Sequence, residues 1–442
     1  MKLRRRPSVQ PPQPWKIKPP REMVSATGSK LQAFNLPGQH MAAAAIIFDL
    51  PLSVEPVDKE GIAGIVYSIV DEGTKTYPGT EYATRLEELG ATAGGHIGYW
   101  SEIFVMDVPA QNLIEALKVV SGAFLEPLQL DEDINRHKQL RIQSLEQANA
   151  RSSYRADTAF RAALINPKYR ASRPRWGDPD KIATVTGDEV RDFSSRYTHA
   201  QAATVVFGGD FAEDPLPLAA KLTESGLQHP YEHPPFEKPE PLPPRCVVVD
   251  RPGSVQADVR YGVFGLDYAD PDSANLWTAT YALGGAFLSR LNSVLREEKG
   301  YSYGVRMQNS PGRSGGLLQA AGSFRTEVAV EAIADMRRIC DIRERPFTTA
   351  EITDAKNYAA GSNPANYQTA SQLVDSVANL VGVGLGYEYV NLFNEALTQV
   401  TADSATAAYL RLWKEPTLVV VGDASALARP LADDGWPVEV ID

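Results

Sequence analysis

The hydrophobic and polar positions fall into two periodicities that alternate along the chain. Apolar alternation or a short apolar run predicts strands at Met41 to Leu50, Ala203 to Asp210, Arg245 to Val249 with Ala257 to Gly265, and Thr417 to Asp423. Helical spacing runs through Ile62 to Val70, Glu81 to Leu89, Asn112 to Phe124, Glu132 to Ala150, Asp272 to Leu283, Glu327 to Arg343 and Thr349 to Ala360. Thr348-Thr349-Ala350-Glu351 has the capping-box pattern that starts a helix cleanly. Strands and helices in this irregular order predict α+β domains, each a mostly antiparallel sheet with helices packed on one face.

The pattern is written twice. Val185-Thr186-Gly187-Asp188-Glu189-Val190 opens a helical stretch that leads to the strand from Ala203. Val400-Thr401-Ala402-Asp403 opens another that leads to the strand from Thr417, an offset of about 215 residues. Between the two units, Pro215 to Pro244 is rich in proline, most densely from Pro230 onward, and reads as an extended linker, able to form neither helix nor central strand. The expected organisation is an N-terminal extension over residues 1–25, a first domain over 26–225, a Pro-rich linker over 226–245 and a second, homologous domain over 246–442.

Length agrees with more than one domain, because a single core rarely grows beyond about 250 to 300 residues and this chain has 442. Apolar content of 43% with 22% charged residues is that of a globular protein. A formal charge of -11, with no Lys/Arg cluster beyond the first six residues, argues against a nucleic-acid-binding role and makes basic or unfolded peptides the more natural guests. Cys246 and Cys340 lie too far apart in sequence for a disulfide framework or a metal pair and read as reduced, buried thiols. The basic start at Met1 to Arg6 is followed by Gln10-Pro11-Pro12-Gln13-Pro14 rather than an apolar stretch, so it is no secretion signal. No apolar run is long enough for a membrane helix, and the cytoplasm is the expected compartment.

Leu283-Gly284-Gly285-Ala286-Phe287-Leu288-Ser289-Arg290-Leu291-Asn292, continuing through Leu295-Arg296-Glu297-Glu298-Lys299-Gly300-Tyr301-Ser302-Tyr303, resembles the second-half signature of the pitrilysin/insulinase metallopeptidase family. Pro252 to Ala257 resembles the opening of that family's second domain. Gly61-Ile62-Ala63 and Gly73-Thr74 frame the place where active members carry His-x-x-Glu-His. In that motif two imidazoles one turn apart bind one zinc ion, and the glutamate activates water. Laid on this chain, the three positions are Gly64, Tyr67 and Ser68, none of which can bind zinc. The resemblance implies a third ligand, a glutamate, within Leu140 to Gln147; the position falls near Ser144, with Glu146 close by. His229-Pro230-Tyr231-Glu232-His233 fits the motif by letter, but its prolines forbid the helix that the chemistry requires, and it reads as linker. The remaining histidines, His40, His96, His137 and His199, form no helical pair.

The family's second half contributes an arginine and a tyrosine, seven residues apart, to the substrate at the metal; here these positions hold Arg296 and Tyr303. A guanidinium can hold a peptide carbonyl or carboxylate, and a phenol can donate to a developing oxyanion. The plainer alternatives are a solvated helix charge beside Glu297 and Glu298, and a surface tyrosine. Half-length members of the family resemble the mitochondrial processing peptidase and its bacterial relatives, in which two chains close like a clamshell around a chamber. The resemblance implies that this chain forms half of such a clamshell and is the non-catalytic, substrate-binding subunit of a heterodimer. It implies no cofactor in this chain and zinc in the homologous partner. Peptides would add a strand to an exposed sheet edge. The glycine-rich substrate loop of the mitochondrial subunit is absent, which favours a bacterial-type heterodimer. Two other functions remain open: a catalytically silent scaffold like the respiratory core proteins, and a homodimeric peptide-binding protein. The chain carries no phosphate-binding glycine loop and no Gly-x-Ser-x-Gly elbow.

Overall fold

Ala42, Ala44, Ile46 and Phe48 lie on one face of a strand and Ala43, Ala45 and Ile47 on the other, and both sets are buried. The unbroken apolar run from Met41 to Phe48 is therefore a strand covered on both sides, for which alternation would be the wrong pattern. The computed structural model describes residues 15–198, 203–225 and 237–442.

Two six-stranded sheets organise the chain. The first contains β1 (Arg21–Val24), β2 (Lys30–Asn35), β3 (Met41–Phe48), β4 (Thr92–Ile97), β5 (Glu102–Pro109) and β6 (Ala203–Gly209), in the order β1-β2-β6-β3-β5-β4. The second contains β7 (Cys246–Asp250), β8 (Gln256–Gly265), β9 (Val305–Pro311), β10 (Gly316–Arg325), β11 (Thr417–Gly422) and β12 (Val438–Ile441), in the order β12-β7-β11-β8-β10-β9. The runs β2-β6-β3-β5-β4 and β7-β11-β8-β10-β9 are the same topology, so the repeat in the sequence is a repeat of the fold. Only the outermost partners differ: β1 is antiparallel to β2, whereas β12 is parallel to β7.

Each half packs its own helices on one face of its sheet. The helices Ile62–Ser68, Leu113–Leu125 and Gly187–Tyr197 contribute to the core of the first half, and Ser273–Thr280, Thr326–Cys340 and Ala402–Leu412 to that of the second. The opposite face of each sheet is covered by a helix from the other half. Helix Ala370–Gly382 lays Ala370, Leu373, Val374, Val377 and Ala378 on β3 and β6. Helix Ser152–Leu164 lays Ala156, Phe160 and Leu164 on Val247, Val249, Val419 and Val421. The two halves thus exchange one helix each.

The proline-rich stretch is not extended throughout. Leu216–Glu224 is a helix that buries Leu216 and Ala219, with Pro215 as its N-cap and Pro217 in its first turn, where the missing N–H would have had no partner in any case. Residues 237–244 lack regular structure apart from a bridge between Pro241 and Ile165. The His229 to His233 segment and His199 lie outside the described residues. Residues 15–24 are tied to the body: Trp15 packs on Tyr367, Ile17 is buried and bonded through its N–H to Asn391, and β1 follows. No described helix is long and apolar enough to cross a membrane.

Candidate functional site

Gly64, Tyr67 and Ser68 share the short helix Ile62–Ser68, whose remaining side chains Ile62, Ala63, Ile65 and Val66 are buried. The N-terminus of this helix is fixed by a buried carboxylate. Glu55 accepts the N–H groups of Gly61 and Ala63 at 3.0 and 3.1 Å and pairs with Arg170 at 2.8 Å. Glu60, beside it, pairs with Arg173 at 2.7 Å and Lys181 at 2.8 Å. Gly61 turns the chain into the helix at φ 108°, and a Cβ there would stand 2.7 Å from Ile182, so glycine is required.

Opposite the helix stands Arg141, from helix Asp131–Asn149. Its Nη2 donates to Ser68 Oγ at 2.8 Å and reaches the Gly64 carbonyl at 3.5 Å, while Ser68 Oγ donates to that carbonyl at 2.7 Å. The Arg141 guanidinium also lies 4.2 Å above the Trp176 indole. A Cβ on Gly64 would meet Trp176 Cε3 at 3.4 Å and Arg141 Nε at 3.9 Å, so alanine would fit and an imidazole would have to displace one of the two. The residues present do not fit a zinc ion. They offer a glycine, a phenol and a hydroxyl, and a guanidinium is placed between the first and third of them.

Arg141, rather than Ser144 or Glu146, is the side chain of its helix that hydrogen-bonds to the motif positions; Ser144 and Glu146 are exposed. The arginine lies inside the window in which a glutamate ligand is expected, one helical turn before Ser144. Trp176 carries no signal in its own neighbourhood. The concentration of arginines at Arg170, Arg173 and Arg175, in an acidic chain, is the feature of the sequence that could have pointed there.

Tyr67 is half-buried, receives the Gly95 N–H of β4, and is pushed up by burial and by the nearby carboxyls of Glu102 and Asp71. Glu102, on β5, is fully buried with no hydrogen-bond partner at either carboxylate oxygen, and burial pushes it to about 8. A phenol held above its ordinary range therefore stands where the motif's glutamate is expected, with the raised carboxyl of Glu102 near it. The other histidines stand apart: His96 on β4 bonds to Asn379 at 3.2 Å, and His137 bonds to Glu72 at 2.5 Å. Among the described residues no three His, Cys, Asp or Glu side chains are gathered as ligands. Cys246 and Cys340 are buried free thiols, each pushed up to about 12 by burial.

In the second half the signature splits into two parts. Arg290 is buried, forks onto Glu351 at 2.6 and 2.7 Å, and donates to the carbonyls of Arg345 and Pro346. It clamps the turn before helix Thr349–Ser362. Arg296 is partly exposed on the helical turn Ser293–Glu298, lies 4.1 Å above the exposed Phe287 ring and stands 3.4 Å from Glu297 Oε1. Tyr303, between that turn and β9, is fully exposed. No hydrogen bond, ion pair or ring contact joins Arg296 or Tyr303 to the helix Ile62–Ser68 among the described residues.

The first half matches the family model "Insulinase (Peptidase family M16)" over residues 33–172, and the model "Peptidase M16 inactive domain" matches residues 184–358. The "Non-peptidase homolog YmxG" of Helicobacter pylori is 22% identical over 343 residues, 75% of this chain and 77% of the relative. The solved structure of a peptidase M16 inactive domain from Pseudomonas fluorescens superposes with a TM-score of 0.85 at 20% identity, covering 91% of this chain and 98% of that one. A chain of complex III2 from Candida albicans superposes with a TM-score of 0.78 at 12% identity, covering 93% and 99%. The two family models lie in both halves, and the first of them covers Gly64, Tyr67 and Ser68. The chain belongs to the insulinase (M16) peptidase family, as a member without the zinc motif at the family's position.

Proposed function

We propose that this chain is the non-catalytic subunit of a heterodimeric zinc metallopeptidase, binding peptide substrate and contributing Arg296 and Tyr303 to a site whose zinc is held by a homologous partner. The observation that carries this reading is the asymmetry between the halves. The motif helix presents Gly64, Tyr67 and Ser68 to an arginine. The second half, by contrast, keeps an arginine and a tyrosine that reach solvent: Tyr303 is fully exposed, and Arg296, partly exposed, rests on Phe287 and pairs with its exposed neighbour Glu297 at 3.4 Å. Buried Arg290 has the structural task, whereas the ion pair of Arg296 is with an exposed neighbour and can be exchanged for a ligand's oxygen.

Strand β4 supports the peptide-binding part. It is an edge strand of the first sheet and runs beside Tyr67, with exposed positions at Thr92, Ala93, Gly95 and His96. An extended peptide could pair there through its backbone with little demand on sequence. The zinc-bearing partner is a homologous chain with intact His-x-x-Glu-His on its helix. In a peptide-cleavage assay with such a partner, Arg296→Ala and Tyr303→Phe are expected to lower kcat/KM by roughly tenfold to a hundredfold while the heterodimer still forms, as for loss of a charged or oxyanion-directed hydrogen bond. Unchanged rates in both variants would remove these residues from the site.

The superposition with a chain of complex III2 favours a second reading, a scaffold of the same fold with no part in proteolysis. It predicts that the heterodimer forms, or a larger assembly does, with no cleavage that depends on this chain.

A further inference from the structure

Three arginines around the vacated motif have no acidic partner among the described residues. Arg141 is half-buried; its Nη2 is used by Ser68 and Gly64, its Nε is buried without a hydrogen-bond partner, and Nη1 bonds to nothing among the described residues. Arg175, also half-buried, donates no side-chain hydrogen bond and enters no ion pair among the described residues; its guanidinium lies 4.7 Å from the centroid of the same Trp176 ring that Arg141 covers at 4.2 Å. Arg161 lies 4.3 Å above the Tyr99 ring and donates to the Ala171 carbonyl at 3.1 Å.

The charges that act on these groups are each other and phenols. Arg141 feels Tyr67 and Arg175, and Arg175 feels Tyr99, Arg161 and Tyr154; burial first, and then the neighbouring guanidinium, pulls each below the usual arginine range. Arg170 and Arg173, a few residues away, are by contrast neutralised by Glu55 and Glu60. A chain of formal charge -11 has thus concentrated uncompensated positive charge on aromatic planes at one place. Half-desolvated guanidinium groups that repel one another are costly unless an anion joins them.

We propose that the vacated zinc position is an anion site, in which the planar guanidinium groups of Arg141 and Arg175, held on Trp176, receive a carboxylate of a bound peptide. A carboxylate is planar, accepts two parallel N–H bonds from a guanidinium, and fits beside aromatic rings with little water. The replacement inverts the logic of the metal centre: there a cation held by protein anions polarises a peptide carbonyl, whereas here fixed protein cations would hold a peptide's own negative charge, an acidic side chain or the C-terminal carboxylate. The assignment of the ligand as a peptide rests on the peptide-binding reading above; the anion site does not.

The test is calorimetric titration of the full chain, alone and in complex with its zinc-bearing partner. The probes are an unstructured peptide of alternating glutamate and alanine with a free C-terminus, and its glutamine, C-terminally amidated counterpart. Wild type is expected to bind the acidic peptide roughly tenfold or more tightly than the neutral one, and the ratio to collapse towards one in Arg141→Gln/Arg175→Gln. Arg175→Gln alone removes no side-chain hydrogen bond among the described residues, only the contact with the Trp176 ring, so it tests the site with little burden on the fold, and it is expected to lose a large part of the ratio. Equal binding of both peptides by wild type, with no change in the variants, would overturn the anion site and leave peptide binding standing. Binding of neither peptide and of no inorganic phosphate would overturn both readings. Binding of inorganic phosphate without binding of the acidic peptide would overturn the choice of a carboxylate.

Discussion

Single residues in this protein carry opposite pH dependences, and the sign of each follows from its surroundings. Glu102 has no donor within reach and burial raises it to about 8, above its unfolded value of roughly 4.3. Its contribution to folding is therefore fully present below about pH 4 and lost as pH rises through about 8. Glu102→Gln keeps the neutral form at every pH. In urea titrations it is expected to match wild type near pH 4 and to exceed it by about 4 to 5 kcal/mol at pH 8, the order of a shift of several pKa units. Parallel curves from pH 5 to 8 would contradict the buried, unpartnered carboxyl. Glu351 is the reverse case. Burial opposes its charge, but the Arg290 fork and the Thr348 N–H and hydroxyl outweigh it and hold Glu351 at about 2. That contribution is present above about pH 4.5 and lost as pH falls towards 2, and with partial solvent exposure it amounts to about 2 kcal/mol. Arg290→Gln is expected to lose that increment at pH 7 and to flatten the acid limb between pH 4.5 and 2, read by the same titration.

At the scale of elements, the exchanged helices carry the argument. Phe160 belongs to the first half in sequence, yet its ring is wholly buried against strands of the second. Phe160→Ala is expected to cost about 3 to 5 kcal/mol, with earlier hydrogen exchange at β7 and β11 rather than in the first sheet; loss of protection confined to the first sheet would contradict the exchange. The elements whose pattern is local are legible in the sequence: β3, β6, β7, β8 and β11, the capping box at Thr348, and the repeat that joins them. β4, where Thr92-Ala93-Gly94-Gly95-His96-Ile97 alternates too weakly to register, is not, and neither are β5, β9 and β10. The helices Ser152–Leu164 and Ala370–Gly382 are not legible either, because their apolar faces have their partners far away in the chain. The helix Leu216–Glu224 was hidden by prolines that count against a helix interior but not against its first turn. For the site, the motif frame located Gly64, Tyr67 and Ser68 on one helix. Arg141 and Trp176 close that position through tertiary packing, which no spacing in the sequence records.

For the whole molecule, the reciprocal helices make one body of two repeats, each completing the other's sheet. Within that body the two halves differ in what they offer a ligand. The first presents Gly64 and Ser68 to the Arg141 guanidinium, with Tyr67 beside the edge strand β4; the second presents Tyr303, and in part Arg296, to solvent. On the proposed reading this chain holds a peptide and supplies donors, while the metal and the general base come from the partner. The most direct measurement is peptide hydrolysis by the homologous zinc-bearing chain, titrated with this protein, with the zinc content of each chain determined alongside. The proposed role predicts that this chain is metal-free and inert alone, and that cleavage by the partner rises with its addition and saturates at one equivalent. Stoichiometric zinc in this chain with cleavage by it alone, or a partner whose rate does not change on addition, would contradict it.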